Sequence, residues 1–167
     1  MKQSKKLLSL SLAAAMTMGL AAPAMAAEET AKPEEGKIVI LHTNDVHCQI
    51  DQAKGEDGAV TNLGYAGVAA YKAEMEARYG AGNVTLVDAG DAIQGGPIGT
   101  LSKGSYIVDI MNEVGYDLAI PGNHEFDYGM ENFLTLAKDK AEYTYLCCNF
   151  TDLDGKAVLD AYKLVDY

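Results

Sequence analysis

The chain has 167 residues, of which 49% are hydrophobic, and its 24 acidic and 13 basic residues give a net charge of −11. This length and apolar content are typical of one ordinary globular domain. The acidic balance and the lack of a Lys/Arg cluster exclude a protein that binds a nucleic-acid backbone, and a phosphate-containing ligand would need another source of positive charge, such as a bound divalent cation.

Residues 1–26 have the pattern of a secretory signal peptide. Three lysines precede an apolar run over residues 7–22, and the small residues of "APAMA" then place a cleavage site after Ala26. A membrane anchor is the alternative, but the run is short and rich in Ala, and no later segment is long and apolar enough to span a bilayer. We therefore expect export to a periplasm, a cell surface or the extracellular space. Cleavage would leave 24 acidic and 10 basic residues, a net charge of −14.

The predicted mature chain begins with a flexible acidic leader over residues 27–36, "AEETAKPEEG", which lacks large apolar residues and contains Pro33. The first strand follows at residues 37–43, "KIVILHT". Its uninterrupted run of aliphatic residues predicts a strand buried on both faces, as in a parallel or mixed sheet. His42 within this run is expected to have a structural role.

Predicted helices and strands then alternate along the chain. Apolar side chains in helical spacing and a terminal Gly predict the helices, which cover residues 65–80, 105–115 and 129–139. Short apolar runs predict the strands, at residues 83–91, 116–120 and 143–150. Residues 95–100, "GGPIGT", are predicted as a glycine-rich turn, and residues 151–167 as a hairpin or the start of another strand. This alternation predicts an α/β layered fold with right-handed crossovers.

A polar cluster follows each of the first three predicted strands. The first strand runs into "TNDVH", the second into "DAGDAIQGG" and the third into "PGNHEFD". Open α/β sheets bind ligands beyond the carboxyl ends of their strands. A single Asp-x-His would be a weak pattern, but three consecutive clusters at one sheet edge predict a functional site there.

The residue types in these clusters suit a metal centre. Asp45 and His47 are two residues apart, so in an extended segment both side chains would lie on one side and could bind one ion. Asp91 has two carboxylate oxygens and could bridge two ions, and Asn123 offers a neutral carbonyl oxygen. Cys48 beside them is either a further ligand or a small semi-buried residue.

The third cluster also contains a candidate acid–base pair. His124 and Asp127 are three residues apart at a predicted helix start, where the carboxylate can accept a hydrogen bond from the imidazole and raise its pKa. Such a histidine is prepared to donate a proton. The alternatives are that Asp127 caps the following helix, that Glu125 only supports the turn, and that Gln94 only binds the loop backbone.

The motifs "DVH", "GDAIQGG" and "GNHEFD", in this order, resemble the metallophosphoesterase superfamily. "TNDVH" with "GNHEFDYG" resembles its exported 5′-nucleotidase and 2′,3′-cyclic-nucleotide phosphodiesterase branch. The resemblance covers residues 38–150. It implies a calcineurin-like domain with a layered α/β/β/α sandwich, of which residues 37–167 would form the N-terminal half. It also implies hydrolysis of phosphate monoesters of extracellular nucleotides, with a small-molecule nucleotide as substrate.

The resemblance assigns roles to the residues that match the motifs. The implied ligands of two divalent metal ions, with Asp91 shared between them, are Asp45, His47, Asp91 and Asn123. The implied catalytic pair is His124 and Asp127. Oxygen and nitrogen ligands suit manganese, zinc, cobalt and iron alike, so the sequence leaves the metal open.

The sequence departs from the family pattern in its histidines. The pattern needs two further His ligands and a final His or Gln, whereas the three histidines here are His42, His47 and His124. We therefore expect a truncated domain with weak metal binding, little or no turnover, and an exposed sheet edge that promotes aggregation. A 2′,3′-cyclic-nucleotide phosphodiesterase or 3′-nucleotidase is the second candidate. A non-catalytic exported module that binds a metal or a partner chain is the third.

Overall fold

The computed structural model describes Glu34 and residues 36–167. The predicted signal peptide and all but two residues of the predicted leader lie outside the described residues. Glu34 forms ion pairs with Lys37, at 2.6 Å, and Arg78, at 2.8 Å. Within the described part of the chain, no helix combines the length and the apolar character needed to cross a membrane.

A four-stranded parallel sheet organises the described residues, and this confirms the predicted α/β class. Its strands, in spatial order, are β1 (Val39–Thr43), β4 (Val84–Asp88), β5 (Leu118–Ala119) and β6 (Thr144–Tyr145). A separate antiparallel pair is formed by β2 (Ala53–Lys54) and β3 (Val60–Asn62). The register of the parallel sheet pairs Thr43 with Asp88 and Asp88 with Ala119. The carboxyl ends of β1, β4 and β5 therefore meet in one row.

Within the described residues, four α-helices connect the strands. They are α1 (Gly64–Tyr79), α2 (Pro97–Ser102), α3 (Ser105–Val114) and α4 (Met130–Thr135), the last continued by a π-helical segment, Leu136–Lys140. Short 3-10 turns cover Ala81–Asn83 and His124–Phe126. α1 and α3 lie where the sequence predicts helices, and both are followed by a glycine. Pro97 begins α2 in place of the predicted turn, since proline has the backbone angle of a first helical residue.

The hydrophobic core lies between one face of the sheet and the helices. Its fully buried side chains include Leu86, Ile107, Met111 and Phe133. The prediction that β1 is buried on both faces is wrong, because alternate side chains of β1 are exposed on the face of the sheet opposite the core. Ile40 is 65% exposed, and His42 is exposed on the same side.

Candidate functional site

The loops after β1 and β4 run side by side beyond the ends of their strands. The backbone N–H groups of Asp45, His47 and Cys48 donate to the carbonyl oxygens of Gly90, Asp91 and Ala92, each at 3.0 Å. These bonds hold the first two polar clusters together.

Side-chain direction in these loops depends on unusual backbone angles. Asp45, His47, Cys48 and Asp91 all have positive φ, between 47° and 61°. The extended segment expected for Asp45 and His47 is therefore wrong, because the chain turns there. It still brings Asp45 Oδ1 to 4.0 Å from His47 Nε2. Left-handed angles in non-glycine residues cost of order 1–3 kcal/mol each and concentrate at functional sites.

His47 is oriented by a hydrogen bond to the backbone. Its Nδ1 lies 3.0 Å from the carbonyl oxygen of Gln94. A carbonyl can only accept, so Nδ1 carries a proton on that side, and in the neutral ring Nε2 then offers a lone pair. This is the arrangement that a metal-binding histidine needs. Gln94 contributes its backbone carbonyl oxygen to this bond.

Three side chains from the three loops converge. Potential ligand atoms of His47, Asp91 and His124 all lie within 4.8 Å of one another. The two imidazole rings meet edge to face, with centroids 5.2 Å apart. All three residues are half-buried, and together they offer oxygen and nitrogen donors that fit a divalent cation.

The other two predicted ligands lie outside this group of three. Asp45 is exposed, and one of its oxygens accepts a bond from Asn44 Nδ2 at 2.7 Å. Asn123 is exposed beside His124, at the start of the 3-10 turn. Cys48 is buried with its sulfur 3.7 Å from the carbonyl oxygen of Ala92. Burial raises the pKa of this thiol, which disfavours the thiolate that a metal would bind.

The third loop contains the predicted pair. His124 Nδ1 lies 2.8 Å from Asp127 Oδ2, and this hydrogen bond raises the pKa of His124. The capping alternative for Asp127 does not match the structure. Helix α4 begins after Gly129, and Asp127 bonds to His124.

Glu125 lies at the centre of the loops. It is buried, and its carboxylate accepts backbone N–H groups from Asp91, Ala92 and Gly122 at 2.8, 2.8 and 2.6 Å. Asp91 Oδ1 in turn accepts the N–H of His124 at 2.8 Å. The sequence pattern predicts only support of the local turn, because nothing in the residue spacing indicates bonds to a loop that is 33 residues away.

A buried polar chain lies beneath the site. Asp88 accepts bonds from Thr43 Oγ1 at 2.6 Å and from the Gly90 N–H at 2.9 Å. Thr43 Oγ1 also lies 2.9 Å from Tyr116 Oη. Burial raises the pKa of Asp88 to about 6 and that of Tyr116 to about 12, because the charged forms lose their hydration.

We expect Asp88→Asn to change how stability depends on pH. A raised folded-state pKa stabilises the fold at low pH, and this contribution is lost as the pH rises from about 4 through about 6. The free energy of unfolding of the Asn variant, measured relative to that of the unaltered chain, should therefore be higher at pH 7 than at pH 4, by up to roughly 3 kcal/mol. The asparagine can still accept from Gly90 while donating to Thr43.

Urea unfolding of both proteins between pH 4 and pH 7 measures this difference. Two stability curves that run parallel over this range would contradict a raised pKa at Asp88.

Comparison with known proteins identifies the family of the fold. A family model described as calcineurin-like phosphoesterase matches residues 38–166. The snake venom 5′-nucleotidase of Gloydius brevicauda is 38% identical over 115 residues, which cover 68% of this chain and 20% of the relative. The 5′-nucleotidase of Homo sapiens is 35% identical over 116 residues, covering 68% of this chain and 20% of the relative. The chain thus spans about a fifth of the length of these curated relatives.

Solved structures agree with this result. A calcineurin-like phosphoesterase from Bacillus subtilis superposes with a TM-score of 0.61 and 26% identity, covering 74% of this chain and 40% of the other. The 5′-nucleotidase precursor from Thermus thermophilus gives a TM-score of 0.58 and 28% identity, covering 66% of this chain and 22% of the other.

Proposed function

Because the chain belongs to the calcineurin-like phosphoesterase family, we propose that it forms the N-terminal part of an exported, metal-dependent hydrolase that removes phosphate from nucleotides. The observation that carries this proposal is the convergence of His47, Asp91 and His124 at the carboxyl ends of three parallel strands. The names of the 5′-nucleotidase relatives support a nucleotide substrate. Export is inferred only from the sequence of residues 1–26.

The proposed site holds two divalent ions. Asp45 and His47 would hold the first, Asn123 the second, and Asp91 would be a ligand of both. Bound in this way, the ions would supply the positive charge that attracts and polarises a phosphate ester. The mature chain needs such a source, because its predicted net charge is −14.

His124 is suited to the leaving group. In hydrolysis, water adds to phosphorus, the ester P–O bond breaks, and the departing nucleoside alkoxide takes up a proton. The bond from Nδ1 to Asp127 favours the protonated ring, and a protonated imidazole is a donor and no metal ligand. His124 would therefore give its proton to the alkoxide, while Asp127 orients the ring and stabilises its charge.

Release of inorganic phosphate tests the function. We expect the full-length protein to release phosphate from AMP in the presence of Mn²⁺ and to stop when EDTA is added. Faster turnover of 2′,3′-cyclic AMP or 3′-AMP would favour the second candidate. Mn²⁺ binding without turnover of any of these esters would contradict the hydrolase and favour a non-catalytic module.

We expect Asp91→Asn to weaken Mn²⁺ binding by more than about 100-fold, because the substitution removes the charge of a proposed metal ligand. Loss of a hydrogen-bond partner of a ligand costs less, about 10- to 100-fold. The amide oxygen can still accept the N–H of His124, which keeps the backbone contact seen for the carboxylate. Asp139→Asn, at an exposed position in the π-helical segment, is the matched control with the same charge change. Mn²⁺ titration followed by electron paramagnetic resonance gives both affinities. Equal affinity for Asp91→Asn and the control would contradict the ligand role.

A further inference from the structure

Glu125 is a buried carboxylate without a cationic partner in the described part of the chain. Its side chain is 1% exposed, and its hydrogen-bond partners are backbone N–H groups. Burying an ionised carboxylate is costly unless its oxygens are hydrogen-bonded. Three N–H donors satisfy this need. Because Glu125 is also buried, it is no candidate ligand itself.

The three donors belong to two different loops. Asp91 and Ala92 lie in the loop after β4, and their backbone N–H groups are each 2.8 Å from the Glu125 carboxylate. Gly122 lies in the loop after β5, and its N–H is 2.6 Å from the same carboxylate. A second bond joins the same two loops, because the carboxylate of Asp91 accepts the N–H of His124 at 2.8 Å. The two loops are thus joined twice, and both connections include Asp91, a candidate metal ligand.

Backbone packing shows how closely the loops approach. A Cβ atom on Gly122 would overlap the carboxylate of Asp91, and one on Gly90 would overlap the backbone of Gly122. Asp91 itself has a left-handed φ of 59°, which its neighbours must impose. The N–H of Asp91 points to Glu125 in this conformation. Glu125 therefore stabilises the backbone angle that directs the Asp91 side chain.

We propose that Glu125 is a positioning residue for the metal centre, a role that rests on the proposed function. It holds the Asp91 carboxylate and the His124 ring near His47, so that side-chain atoms of the three residues lie within 4.8 Å of one another. It acts through the backbone of both loops and touches neither metal nor substrate.

Glu125→Gln tests this role with little change of shape. One oxygen becomes an NH₂ group, which cannot accept, so at least one of the three backbone N–H groups loses its partner. We expect Mn²⁺ affinity to fall by about 10- to 100-fold, the range found when groups that hydrogen-bond to metal ligands are removed. The visible absorption spectrum of bound Co²⁺ should change as well, because it reports ligand geometry. Glu131→Gln, exposed in the first turn of α4, is the matched control and should change neither quantity.

Further measurements separate positioning from general stability. Circular dichroism in a sucrose buffer, which stabilises folded states, selects conditions where the variants are folded. Glu125→Asp, with its oxygens withdrawn by one methylene group, provides a second variant if Glu125→Gln unfolds.

Amide hydrogen exchange at Asp91, Ala92 and Gly122 measures how often the hydrogen bonds from these N–H groups to Glu125 open. Faster exchange with unchanged Mn²⁺ affinity and Co²⁺ spectrum would overturn the positioning role. Absence of Mn²⁺ binding by the unaltered chain would instead contradict the proposed metal site, and the positioning role with it.

Discussion

Replacing His124 by Ala is expected to slow phosphate release from AMP by about 100- to 10,000-fold, the usual contribution of a positioned acid or base. The expectation follows from the 2.8 Å bond between His124 Nδ1 and Asp127 and from the position of His124 beside His47 and Asp91. Without the imidazole, the alkoxide would leave unprotonated or take its proton from water. The substitution should lower kcat more than it changes KM, because the proton is transferred only in the transition state.

His42→Ala provides the matched control for this prediction. His42 lies on β1, and its side chain is exposed on the face of the sheet opposite the core. The same substitution there should leave the rate unchanged. Steady-state phosphate release by both variants of the full-length protein, at saturating Mn²⁺, makes the comparison. Near-normal activity in His124→Ala would contradict the proposed proton donor.

Phe133→Ala is expected to destabilise the fold by about 3–5 kcal/mol, as found for large aromatic side chains in well-packed cores. Phe133 is fully buried in α4. Its ring packs edge to face on Phe126 at 4.9 Å and on Tyr145 at 5.3 Å. Phe126 directly follows Glu125 in the 3-10 turn, so the resulting cavity lies behind the segment that carries the acid–base pair.

Urea unfolding measures this loss of stability. Leu101→Ala is the control, since Leu101 is 85% exposed and its truncation should change the free energy of unfolding by less than about 0.5 kcal/mol. Similar unfolding midpoints for the two variants would contradict the assignment of Phe133 to the core.

Local sequence signals account for most of the elements. Helix α3 covers Ser105–Val114, where helical spacing and Gly115 predict it. The exposure of one face of β1 could not be predicted in this way, because an aliphatic run does not show whether both faces of a sheet are covered. Coverage depends on which elements pack against each face. The hairpin of β2 and β3 was also missed, since both strands are short and exposed.

Local sequence patterns show which chemical groups follow each strand, because strand ends and the polar residues after them are local features of the chain. These patterns therefore predict Asp91, His124 and Asp127 as members of one site. The way in which their atoms meet depends on tertiary contacts. The left-handed angle of Asp91 and the bonds of Glu125 to both loops arise from contacts between segments about 30 residues apart. Such contacts form only once the parallel sheet has aligned its strand ends, and residue spacing carries no signal for them.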